Sequence, residues 1–312
     1  MDHQQSLRHT LDIIKLLPPN KVQTFINEHV DSLLKKDNIS PTALFRYIIP
    51  PLEVNNSDTM GPFINSTFNK ENSSYRSPWS NEYYPTISGF KVLPNELREL
   101  EIQLNKLVKF YTKIYYSTKA VSSVYIWEVG ESIASGFNCA ILIKNPIEST
   151  KCLKNSFLDS VNVINVKFLR DREKVKEKIK TLYKITSNMT YELNFDNFND
   201  CGFSGSVTKG NEEIYVINGY LDYEYHCEII GKMFENMENA LRSNLDEVYM
   251  KRTENVLAKM RNMFIEGHPN TKVDDGVKEM IENIKKLPSF QTTKEEDDGD
   301  TRGSYTFGAK RY

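Results

Sequence analysis

The residues best suited to chemistry are few and poorly placed for it. The five histidines, His3, His9, His29, His226 and His268, are scattered along the chain. Only His226 adjoins a cysteine, Cys227, and an adjacent pair cannot by itself supply the four ligands of a zinc site. Asn194, Asp196, Asn197, Asn199 and Asp200 offer oxygens that would suit calcium, but they lack the D-x-[DN]-x-[DN]-G spacing and the distal glutamate. Glu212-Glu213 reads as the tip of a hairpin rather than an acid/base pair. No phosphate-binding loop, dinucleotide fingerprint, H-E-x-x-H or G-x-S-x-G is present. The expectation is a protein that works by binding, with no catalytic residue, no metal site and no cofactor.

The composition narrows what it binds. Lys plus Arg is 40 and Asp plus Glu is 42, a net charge of -2 over 312 residues. A nucleic-acid binder needs a phosphate-neutralising excess of positive charge, so none is expected here. Hydrophobic residues make up 39% and aromatics 11%, enough for a sizeable core. No window approaches the roughly 18 apolar residues of a membrane span, and M-D-H-Q-Q-S-L-R-H-T is no secretory signal. Cys139, Cys152, Cys201 and Cys227 show no C-x-x-C spacing. The chain reads as cytoplasmic, with reduced thiols.

Periodicity supplies the elements. Leu7, Leu11, Ile14 and Leu17 recur at helical spacing and stop at Pro18-Pro19. Val22, Phe25, Ile26, Val30, Leu33 and Leu34 start a second helix, antiparallel to the first. Leu97, Leu100, Leu104, Leu107, Tyr111 and Ile114 form a heptad-like seam over 95–117, expected to pack on the first two helices as a small bundle. The period then becomes two. Strands are expected at 121–129 and 137–144, at 160–169 and 179–186, and at 203–208 and 213–218, the last two as a hairpin around K-G-N-E. Consecutive hairpins without helices between them mean an antiparallel sheet. Ile230, Met233, Met237, Leu241, Leu245 and Val248 then mark a long helix to Glu266 that would lie on one sheet face.

Two stretches stand out. R-S-P-W-S-N-E-Y-Y-P (76–85) is an aromatic, proline-pinned block after a polar segment, N-S-T-F-N-K-E-N-S, that reads as a poorly ordered loop. Its Arg76, Pro78, Trp79, Tyr83 and Pro85 suit either a binding epitope or a structural clasp. The second stretch follows G-H-P-N at 267–270. Val277, Met280, Ile281 and Ile284 sit at i, i+3, i+4 and i+7, with Leu287 beyond and Lys278, Lys285 and Lys286 among the polar positions. Such an amphipathic helix suits insertion into a partner's groove.

R-S-P-W-S-N-E-Y-Y-P closely resembles the block typical of the β subunit of heterodimeric F-actin capping protein. L-D-I-I-K-L-L-P-P (11–19), V-S-S-V-Y-I-W-E-V (121–129), A-I-L-I-K (140–144) and M-E-N-A-L-R-S-N-L-D-E-V-Y (237–249) are similar to the family in the same order. The resemblance implies an α+β fold: an N-terminal antiparallel helical stalk, a central antiparallel β-sheet, a long C-terminal helix over the sheet and a terminal amphipathic tentacle helix. The corresponding divisions are a stalk over 1–117 that contains a loop and clasp at 39–94, the sheet at 118–220, the long helix at 221–266, the tentacle at 267–288 and a disordered tail at 289–312.

The resemblance also implies the function. Paired with a capping protein α subunit, whose sheet would join this one, the chain would cap barbed ends of actin filaments in the cytoskeleton and block subunit addition and loss. Pairing with itself stays open beside pairing with α. Val277, Met280, Ile281, Ile284 and Leu287 would enter a cleft on actin, helped by Lys278, Lys285 and Lys286. Arg76, Pro78, Trp79, Tyr83 and Pro85 would then be a structural clasp. The alternative is a dimerisation scaffold of the same fold that does not cap.

Overall fold

The computed structural model describes residues 3–18, 49–89, 93–129, 135–147, 155–169, 179–194, 203–217 and 222–265 of the 312. The chain divides into two units, Met1–Thr253 and Glu254–Tyr312. Helix α1 (His3–Leu16) is followed, after residues outside the described set, by five short strands: β1 (Glu53–Asn55), β2 (Phe63–Asn65), β3 (Lys70–Glu71), β4 (Ser74–Arg76) and β5 (Tyr83–Tyr84). Helix α2 (Asn95–Tyr115) leads into five long strands, β6 (Val121–Glu128), β7 (Phe137–Ile147), β8 (Ser156–Leu169), β9 (Ile179–Leu193) and β10 (Phe203–Ile217). Helix α3 (Tyr223–Ile265) comes last. The long strands form one antiparallel sheet in the order β10-β9-β8-β7-β6, so this is a mixed helix and sheet fold.

Alternation along the strands builds two cores, one on each face. Val124 and Ile126 of β6 point to one face, with Cys139, Ile141 and Ile143 of β7. There they meet Leu97, Leu100, Leu104 and Val108 of α2, and Ile229, Ile230, Met233, Phe234, Met237 and Leu241 of α3. Tyr125 of β6 and Ala140 and Leu142 of β7 point the other way, to Ile13 of α1, to Leu17 just after it and to Ile49, Leu52, Ile64 and Phe68. Helices α1 and α2 therefore pack on opposite faces of the sheet, not together as a bundle. The second predicted helix lies outside the described residues.

The buried face of α1 is also rotated from the predicted stripe. Thr10, Ile13 and Leu17 are buried, while Leu11 is 42% exposed. Asp12, next to Ile13, turns with that face to meet Lys184 of β9 at 2.7 Å.

Strand β10 corrects a second expectation. Residues 203–217 form one continuous strand rather than a hairpin around K-G-N-E, and every residue pairs with β9. Gly210 sits within the ladder, opposite Thr186. A Cβ there would lie 2.6 Å from the imidazole of His9, so the glycine makes room for α1 to lie on the strand. Strands β8 and β9 likewise outrun their predicted ends. Several of the extra residues are polar and buried, and Asn188 is satisfied by β10: its amide donates to Ser206 Oγ at 2.8 Å and to Thr208 Oγ1 at 2.7 Å.

One buried acid ties the segment before β1 to the sheet. Asp159 of β8 accepts the Leu52 N–H at 2.9 Å, and the Lys144 ammonium lies 3.0 Å from its other oxygen. Burial outweighs both and pushes the carboxyl up from 3.8 to about 6. The folded pKa lies above the unfolded one, so between the two the native state binds more protons. Asp159 therefore favours folding below about pH 4, and that contribution is lost as pH rises through about 6, a difference of about 3 kcal/mol. In urea titrations from pH 4 to 7, Asp159→Asn should flatten the fall in stability with rising pH. An unchanged slope would rule out Asp159 as its source.

Candidate functional site

The predicted actin-facing residues, Val277, Lys278, Met280, Ile281, Ile284, Lys285, Lys286 and Leu287, lie outside the described residues. The aromatic block lies within them, and its geometry follows from a few buried charges. Arg76, at the end of β4, is 8% exposed. Its guanidinium donates bidentately to Glu101 of α2, both bonds at 2.7 Å, and also to Asn81 Oδ1 at 2.9 Å. It lies 5.7 Å from the centre of the Tyr125 ring. Burial opposes the Arg76 charge, but the Glu101 carboxylate outweighs it and holds the guanidinium above its ordinary pKa.

Glu101 is fully buried and takes two further donors, Arg98 one helical turn earlier and the Ile126 N–H of β6 at 2.8 Å. One turn later Asn105 repeats the device. Its side chain accepts from Val124 N–H and donates to Val124 C=O, each at 2.9 Å, as a neighbouring strand would. Polar side chains of α2 thus close the outer edge of β6. The predicted seam put Leu107 and Ile114 inside, but they are 38% and 56% exposed. The buried arc instead takes in Glu101, Asn105, Val108 and Thr112.

The rest of the block hangs on the same frame. Trp79 Nε1 donates to Pro62 C=O at 2.9 Å, and Arg98 donates to Trp79 C=O at 2.9 Å. Tyr83 pairs with Arg76 across β4 and β5, and Tyr84-Pro85 is a cis peptide. Pro78 lies in the tight segment where Ser77 N–H donates to Glu82 C=O at 2.8 Å. Asp58 is buried and receives Ser77 Oγ, Ser80 Oγ at 2.8 Å and Met60 N–H at 2.9 Å. Burial resists its charge, yet these donors hold the carboxyl below its usual value. The Asn-rich segment read as a poorly ordered loop is instead pinned. Asn69 is buried and donates to Ile64 C=O at 3.1 Å and to Arg76 C=O at 2.8 Å.

A second buried acid holds α3. Glu238 is fully buried and accepts from Ser160 Oγ, from Asn162 Nδ2 at 3.0 Å and from the Tyr116 hydroxyl, with Arg242 at 3.3 Å. The two edges of the sheet differ. Strand β6 is closed by α2, whereas among the described residues β10 pairs only with β9. Next to that open edge, Ile214 and Val216 are 62% and 51% exposed. Among the described residues no group of His, Cys, Asp and Glu could hold a metal ion.

The profile of a family described as F-actin capping protein, beta subunit, matches residues 7–257. The chain belongs to that capping protein β-subunit family. An F-actin-capping protein subunit beta from Dictyostelium discoideum is 30% identical over 267 residues, 83% of this chain and 90% of that protein. Those of Drosophila melanogaster and Arabidopsis thaliana are each 30% identical, over 81% and 80% of this chain and 86% and 93% of their own lengths. A solved structure titled as a homodimeric actin capping protein alpha subunit from Plasmodium berghei superposes with a TM-score of 0.47 at 15% identity, over 84% of this chain and 96% of that one. That likeness is too distant to carry an argument. The capping-family match spans the 76–85 block, both buried glutamates and the whole sheet, and it ends before Val277.

The Arg76–Glu101 pair gives a direct test. Arg76→Met leaves Glu101 buried with Arg98 as its one cationic partner, and should cost about 3–5 kcal/mol in chemical denaturation. Adding Glu101→Gln to Arg76→Met should recover part of that loss. A double variant no more stable than the single one would show that the pair is not coupled.

Proposed function

We propose that this chain is the β subunit of a two-subunit barbed-end capper. With an α-subunit partner it binds the barbed end of an actin filament, stops subunit addition and loss there, and so regulates filament dynamics. It acts by binding and performs no catalysis. The family match over residues 7–257 carries this reading.

The sheet supports the pairing. A long strand with an unpaired edge beside exposed aliphatics is a liability that proteins normally cover, and a partner's strand laid against β10 covers it. In this reading 1–117 contributes the stalk, 118–220 the sheet, 221–266 the helix over it and 267–288 the tentacle. Arg76, Pro78, Trp79, Tyr83 and Pro85 form a clasp that holds the stalk end of α2 to the sheet and does not touch actin. Val277, Met280, Ile281, Ile284 and Leu287 enter a cleft on actin, with Lys278, Lys285 and Lys286 adding attraction to an acidic surface. The site of action is the actin cytoskeleton, and no described helix is long and apolar enough to cross a membrane.

A seeded pyrene-actin elongation assay tests the reading. The chain with its α partner should stop barbed-end growth. Each buried aliphatic contact contributes ~1–2 kcal/mol, so Met280→Asp with Ile284→Asp should weaken capping on the order of a hundredfold. Wild-type complex that never slows elongation would favour the scaffold reading. Capping unaltered in the double variant would sink the tentacle assignment alone.

A further inference from the structure

Apart from the β10 edge, the exposed apolar surface of the described residues is concentrated on the outer face of α2. Leu107, Phe110 and Ile114 are 38%, 67% and 56% exposed, and their i, i+3, i+7 spacing lines them up along the helix. Tyr115, 49% exposed, extends the surface at its C-terminal end. A helix that spends this much apolar area on solvent is poorly explained by its own packing, because its opposite face already fills the core with Leu97, Leu100, Leu104 and Val108.

The charges that α2 itself places beside the strip share one sign. Glu101 is the last acid of α2, and it is buried and paired with Arg76. Beyond it the exposed surface of α2 carries Lys106, Lys109 and Lys113. At about 100° per residue these three fall together on one flank of the apolar strip. Lys109 is held in place there, its ammonium 4.6 Å from the centre of the Trp79 ring. The other flank meets α3, where Leu107 packs over Gly231; a Cβ on that glycine would lie 3.5 Å from the leucine. The small residue keeps the boundary between the helices shallow. On that side α3 carries both signs: Glu235 is exposed, and the Arg242 guanidinium lies 5.7 Å from the centre of the Tyr115 ring.

We propose that this face of α2 docks an amphipathic helix of another protein, whose apolar residues lie along Leu107, Phe110 and Ile114 and whose acidic edge faces Lys106, Lys109 and Lys113. The spacing selects a helix lying along α2, since apolar residues three and four apart on a partner match the same interval here. The lysines select an acidic edge on the partner. This surface adjoins β6, at the other edge of the sheet from β10. The proposal does not depend on the capping reading.

The test uses the chain in complex with its α partner. Two fluorescein-labelled helical peptides of about eighteen residues carry leucines at i, i+3, i+4 and i+7, one with glutamates and the other with lysines on the flanks. In fluorescence anisotropy the glutamate peptide should bind and the lysine peptide should not. Phe110→Ser with Ile114→Ser, at exposed positions that leave the core intact, should weaken binding by about tenfold or more. Lys106→Glu with Lys113→Glu should reverse the preference, a gain that misfolding cannot mimic. Equal binding of the two peptides, no binding of either, or an unreversed preference overturns the proposal. Phosphatidylserine vesicles that pellet the complex through Phe110, without peptide binding, assign the face to a lipid surface and overturn it. A mass that falls on Phe110→Ser assigns it to a second copy of the complex, with the same consequence.

Discussion

A fully buried carboxylate, that of Glu101, sets the constraint on which the rest of the structure depends. An ionised acid without partners in the core costs several kcal/mol or more, so a fold that buries one must bring donors to it. Three arrive from three places: Arg76 from β4, Arg98 from the same helix and the Ile126 N–H from β6. Each donor fixes an element. Ile126 holds α2 against the sheet. Arg76 can reach Glu101 only if β3, β4 and β5 are formed and the chain turns at Asn81, which sits at a φ of 64° and accepts from the same guanidinium. The aromatic block owes its shape to a charge that it helps to bury.

The same logic explains why the two edges of the sheet differ. Asn105 and Glu101 satisfy the outward-facing groups of β6 with side chains, so that edge accepts no further strand. Among the described residues strand β10 has only β9 beside it, and its Ile214 and Val216 are exposed. Glu238 repeats the use of a buried acid on α3, where Ser160 and Asn162 of β8 and Tyr116 next to α2 join three elements at one carboxylate.

Much of this was legible in the residues. The strands of V-S-S-V-Y-I-W-E-V and F-N-C-A-I-L-I-K stand close to their predicted places, because the unbroken apolar run Val124, Tyr125, Ile126 suits a strand buried on both faces. The errors fall where polar residues are buried. Glu101, Asn105 and Thr112 are polar, so apolar periodicity carries the seam of Leu97, Leu100, Leu104 and Tyr111 on to Leu107 and Ile114, which are exposed. Ser187, Asn188 and Thr190 place the end of β9 too early, although all three lie inside and Asn188 and Thr190 bond to each other. Gly210 read as a turn because a local pattern cannot register a helix lying across the strand. Asn69 looked like loop composition, yet it is the side chain that closes its turn.

By itself the sequence determined the element types of the sheet, the absence of any familiar catalytic motif, and the family, through blocks that match it in order. These are properties of short windows and of their sequence along the chain. The tertiary structure alone decided which polar groups are inside, which faces α1 and α2 cover, that residues 203–217 form one strand, and which edge of the sheet α2 closes. The physical reason is that a carboxylate or an amide carries no mark of burial in its own neighbourhood. Glu101 belongs in the core only because Arg76, 25 residues away, and the β6 backbone meet it there.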